Sequence, residues 1–159
     1  MVADEVGARR RDVASGPKTN PWTYVSVGAH AIRKGEHGSE FFVLAPDAND
    51  SHVELVTMTA HYHASGDTSY RLGVGHTVPV GRPWLPGSNC DHLLVSLPYT
   101  FGSDLERCED AGGHVQILWL LPITAAERAF KIEHGQEALE QRFESAALEY
   151  WQPTRPSVV

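Results

Sequence analysis

Cysteine is scarce in this 159-residue chain, which holds two, Cys90 and Cys108. A small fold stapled by disulfides is thereby excluded, and both are expected as free thiols. Long apolar runs are also missing: no stretch approaches the ~20 residues of a membrane-spanning helix. The basic residues of Met1–Arg11 are not followed by an apolar run, so no secretory signal is read and a cytoplasmic protein is expected. There is no Gly-x-Ser-x-Gly elbow, no phosphate-cradling glycine loop and no Gly-x-Gly-x-x-Gly fingerprint. The enzyme classes that leave a linear trace thus lose ground. Internal repeats and low-complexity segments are absent too, and the length fits one domain.

What is present is an ordinary globular composition, 42% apolar and 21% charged, with a net charge of −7. Residues 1–20 carry four basic and three acidic groups, so residues 21–159 hold nine against seventeen, a net of −8. Such a body repels phosphate, which argues against a nucleic-acid partner. It would steer in a basic protein.

The stretch that organises the chain is Gly81–Gly102. Pro83 and Pro86 stiffen a turn that carries Trp84 and Leu85. It then enters His92–Leu97, an apolar run too short for a helix and read as a buried strand. Upstream, residues 1–20 lack periodicity and are read as a flexible arm. Trp22–Ile32 and Phe41–Leu44 form a hairpin around Gly35–Gly38. Ser51 and Glu54 read as a capping box for a helix to about Ala64. Val74–Val80 is a strand, at an edge because of Pro79. Asp104–Asp110 reads as an acidic loop or short helix. Val115–Leu121 is the most apolar strand, expected to be central and to end at Pro122. Thr124 and Glu127 form a second capping box, for a helix that stops at Gly135. A last helix starts near Gln136, with Leu139, Phe143, Ala146, Ala147 and Tyr150 along one face. The fold class is α+β: a mixed, mainly antiparallel sheet of about five strands packed against helices. The domain spans residues 21–153, and 154–159 form a tail.

Nine histidines raise the question of a metal. His61 and His63 on a helix point about 200° apart and cannot share an ion. His76, His92 and His114 lie in or beside strands and could converge, but hydrogen-bonded or surface roles are the simpler reading. No cofactor is expected. Cys90-Asp91-His92 contains the residue types of a nucleophilic triad, yet consecutive strand residues alternate sides and cannot chain together. Trp22, Tyr24, Trp84, Tyr99, Phe101 and Trp119 read first as core. Tyr24 and Trp84, beside turns, are also candidate interface anchors. Asp104, Glu106, Glu109 and Asp110 are a solvated surface or a docking patch for a basic partner.

Three stretches carry a family resemblance: Trp22–Gly28, Gly81–Gly102 and His114–Thr124. Trp-Thr-Tyr-Val-Ser-Val-Gly resembles the aromatic-Tyr-Ile-Ser-Phe-Gly segment of the suppressor-of-fused family, and the likeness covers about Pro21 to Pro153. The resemblance implies a binding role rather than catalysis. The animal member holds Gli-type transcription factors through a peptide that adds as a β-strand. Similar bacterial domains are regarded as immunity proteins that neutralise secreted toxins. Tyr24 then matches a peptide-contacting tyrosine, and Glu36 falls in the family's acidic turn. The chain has no counterpart of the animal protein's second domain, and its N-terminal arm is shorter than the family's. The expected function is an immunity protein bound to a basic toxin domain. The alternatives are a regulator that binds a peptide by strand addition and a small hydrolase or metalloenzyme.

Overall fold

A computed structural model describes residues 7–11, 21–29, 38–65, 70–110 and 113–159, with 7–11 and Asp110 described by backbone alone. Among the described residues seven strands make one mixed sheet: β1 (Gly7–Arg11), β2 (Trp22–Val27), β3 (Gly38–Ala45), β4 (Thr77–Pro79), β5 (Cys90–Ser96), β6 (Arg107–Asp110) and β7 (Gly113–Thr124). Their order is β1-β2-β3-β7-β5-β4, and β6 also pairs with β7. The β3–β7 pair is parallel and the other pairs are antiparallel. Three α-helices lie among the described residues, α1 (Asp50–Ala64), α2 (Ala125–His134) and α3 (Gln136–Ser145).

The sheet is covered on both faces, which explains why its inner strands read as unbroken apolar runs. Phe41, Val43, Leu93, Val95, Leu118 and Leu120 point to one core with Leu55, Val56 and Ala60 of α1. Their strand neighbours Phe42, Leu44, Leu94, Trp119, Leu121 and Ile123 point to a second core with Leu139 and Phe143 of α3. Each such side chain taken fully out of water contributes roughly 1.5–3 kcal/mol. The antiparallel pairing expected upstream is seen as β2 against β3, with Tyr24 opposite Val43. The turn expected at Gly35–Gly38 falls largely outside the described residues, Gly38 already belonging to β3. β7 lies between β3 and β5, and β4 with Pro79 takes an outer position.

Several expectations are corrected. Within the arm assigned to residues 1–20, Gly7–Arg11 form a strand paired with β2, so the domain begins before Pro21. Asn49 caps α1 in place of the Ser51/Glu54 box, its side chain accepting from the Ser51 N–H. The buried stripe of α1 includes His52, Thr59 and His63, polar residues that blur its apolar period, while Met58 and Tyr62 are exposed. The acidic segment is a 3-10 turn, Ser103–Leu105, followed by β6. β7 runs through Pro122 to Thr124. Past Trp119 it pairs with β5 alone, so a residue without an N–H can continue it.

At the far end, Thr124 and Glu127 form the expected capping box. α3 stops at Ser145, short of its expected face. Ala147 adopts φ 46°, and the N–H groups of Ala147 and Leu148 bond back to the carbonyls of Glu144 and Phe143. That is the Schellman closure, with alanine where glycine is the easy choice. Residues 154–159 also belong to the fold, since Arg155 is buried and Val158 packs on the second core.

Candidate functional site

Tyr24 and Trp84 lie in the core, 2% and 5% exposed. The Tyr24 hydroxyl accepts from the backbone N–H of Asn49 at 2.9 Å, tying β2 to the cap of α1. The His52 ring sits 5.0 Å from Tyr24 and 5.7 Å from Trp84. Burial lowers the His52 pKa against the opposing pull of Asp47, 3.5 Å away. The Trp84 backbone N–H donates to the Cys90 carbonyl, and the Ser88 hydroxyl accepts from the Cys90 backbone N–H, which fixes the proline-rich turn. These two aromatics therefore shape the first core and the turn above it. Glu36 lies outside the described residues.

The acidic segment is at the surface. Asp104 and Glu109 are exposed, and Glu106 is half-buried. Glu109 faces His114 across the β6–β7 pair at 3.0 Å. Among the described strands β6 pairs with β7 alone, so its outer edge carries free backbone groups.

The described histidines do not converge on one metal site. His63 is buried and accepts from the Leu72 N–H, whereas His61 is exposed. His92 pairs with Asp91 at 2.7 Å, and His114 with Glu109. Among the described residues no group of three or more His, Cys, Asp or Glu is placed to hold a metal ion. Cys90 is fully buried, and burial pushes its thiol pKa up, away from the nucleophilic thiolate.

Sequence reasoning missed a cleft of about 620 Å³ between the Tyr99–Phe101 turn and α3. Its walls include Tyr99, Tyr150, Glu137, Glu140 and Glu144. The Tyr99 hydroxyl donates to that of Tyr150 at 2.9 Å. Trp119 lies behind both rings, 5.3 Å from Tyr99 and 4.9 Å from Tyr150. Burial and this hydrogen bond push the Tyr99 pKa well above its ordinary value, and burial raises that of Tyr150, so both phenols stay neutral. Glu140 accepts from the Ser96 hydroxyl and the Gln136 amide, at 2.9 and 2.7 Å. Residues 137, 140 and 144 share one helical face, and like charges so spaced cost an isolated helix about 0.2–0.5 kcal/mol per pair. That spacing was the signal available in the sequence.

The architecture is that of a known family. The model of the family described as Suppressor of fused protein (SUFU) matches residues 7–156, and the chain belongs to that family. The match takes in β1 and Arg155, in keeping with the boundaries seen in the fold. The chain is similar to a crystal structure described as a suppressor of fused homolog from Neisseria gonorrhoeae FA 1090. Identity is 30% over 98% of this chain and 88% of that one, with a TM-score of 0.78. It is also similar to Drosophila Suppressor of Fused, with 12% identity over 95% of this chain, 42% of that chain and a TM-score of 0.69. A chain of the Sufu–Fu complex crystal structure matches with 11% identity, 95% and 75% coverage and a TM-score of 0.68. These last two likenesses show the fold. Among curated proteins, none matches the chain.

Proposed function

We propose that this chain is a non-catalytic protein-binding domain, an immunity protein that neutralises a basic toxin domain by direct contact. The observation that carries the reading is the placement of acidic groups on exposed ground, at β6 and along α3, around a body of net charge −8 over residues 21–159. Complementary charge raises the rate of encounter and selects among partners. A related fold occurs in a structure described as the Sufu–Fu complex, which supports a protein as the partner. Asp104, Glu106, Glu109 and Asp110 make the approach surface, and the family resemblance adds Glu36 as a separate partner contact. Tyr24 and Trp84 act from beneath, holding β2, α1 and the proline-rich turn in one shape.

The free outer edge of β6 favours one alternative, a regulator that takes a peptide as an added strand. Co-expression with the product of the adjacent gene, assayed for toxicity on its own, separates the two. An immunity protein restores growth and co-elutes with the toxin domain. Continued toxicity with no complex would reject the immunity reading.

A further inference from the structure

The cleft beside α3 presents a specific combination of surfaces. Tyr99 and Tyr150 line it as neutral phenols joined by a hydrogen bond, backed by the buried Trp119. Glu140 is held in place by Ser96 and Gln136. Glu137 and Glu144 are exposed, and neither carboxylate is paired with a described cation. An anion would meet three carboxylates, and an apolar group would have to strip water from them. A guanidinium fits both features, because it stacks on aromatic faces and pairs with a carboxylate through two parallel N–H bonds. The end of α3 is also held in an uncommon backbone state: Ala147, which lines the cleft, has φ 46°.

We propose that this cleft receives an arginine side chain from a basic segment of the protein partner, held by the Tyr99 and Tyr150 rings and by Glu137, Glu140 and Glu144. The proposal rests on the protein-binding reading and adds the docking point, a place distinct from the β6 edge.

The test uses the full chain and a short fluorescein-labelled peptide of alternating arginine and glycine. A second peptide carries citrulline, the neutral isostere of arginine. Fluorescence anisotropy gives the affinities. The arginine peptide should bind, and citrulline should weaken it about tenfold, as loss of a charged hydrogen-bond partner does. Glu137→Gln with Glu144→Gln should weaken the arginine peptide by a similar factor. Asp104→Asn with Glu109→Asn should change it less than about twofold, since exposed charges outside the contact act weakly. Backbone amide shifts on peptide addition should cluster at Tyr99, Thr100 and Gln136–Ala147. No binding, equal binding of the citrulline peptide, an unaffected Glu137/Glu144 variant, or shifts confined to β6 would each overturn the proposal. None of these would reject the protein-binding reading, which the growth assay tests separately.

Discussion

Arg155 and Glu127 form a buried bidentate pair, with Nη1 2.7 Å from Oε1 and Nη2 2.7 Å from Oε2. Glu127 also accepts from the Thr124 and Val158 N–H groups, so four donors surround the two oxygens. The second Arg155 nitrogen reaches the Pro122 carbonyl as well. One ion pair thus ties the chain's end to the cap of α2 and the end of β7. Arg155→Met should destabilise the protein by about 3–5 kcal/mol, because it leaves a buried carboxylate without its cation. Adding Glu127→Leu should recover much of that loss. Urea unfolding of wild type and both variants checks this.

Tyr24 separates a packing role from a polar one. Tyr24→Phe removes the bond to Asn49 and should cost about 1 kcal/mol. Tyr24→Ala empties a core position and should cost about 3–5 kcal/mol. Partner affinity measured on the folded fraction should be close to wild type for Tyr24→Phe. A large loss of affinity in a fully stable Tyr24→Phe protein would show that the hydroxyl itself meets the partner.

Much of the fold was legible because local chemistry and tertiary packing agree. Thr124 and Glu127 signal a cap that forms, Gly135 stops α2, and the apolar run of β7 marks the strand between β3 and β5. Other parts depend on distant partners. Arg9, Arg10 and Arg11 look like an arm until β2 supplies their ladder. Arg155 looks like a tail until Glu127 closes on it. Asn49 displaces Ser51 as a cap, which spacing alone does not reveal. Tyr24 and Trp84 were legible as core or anchor, and His52 beside both places them in the core. The cleft joins Tyr99 to Tyr150 across 51 positions of sequence, beyond the reach of any local motif.

Ala147 carries a measurable strain. Its φ of 46° belongs to the left-handed region, which costs an L-residue roughly 1–2 kcal/mol. Ala147→Gly should therefore stabilise the protein by about 1 kcal/mol, less the added freedom of glycine in the unfolded chain. Thermal unfolding reads the gain as a higher midpoint.

His52 links stability to pH. Its folded pKa lies below the unfolded value of 6.5, because burial disfavours the charged ring. The unfolded chain therefore takes up the proton first. The contribution is present in full above pH 6.5 and is lost as the pH falls from there through the folded value. In His52→Gln the slope of unfolding free energy against pH below 6.5 should be shallower than in wild type. Equal slopes would remove His52 from the account.

The acidic surface should govern encounter more than residence. Lysine at Asp104, Glu106, Glu109 and Asp110 should slow association with a basic partner, with the difference shrinking in high salt as screening shortens the field. Stopped-flow kinetics at two ionic strengths resolves this, and the unfolding midpoint should move little because Asp104 and Glu109 are exposed.

The central claim is that this domain works by binding a basic protein. Calorimetric titration of the purified chain with a purified basic toxin domain, chosen because co-expression of the chain relieves its toxicity, tests it most directly. The account predicts a stoichiometric complex whose affinity falls as salt rises, weakened further by Glu137→Gln with Glu144→Gln. Two folded proteins that show no binding at low salt would contradict it.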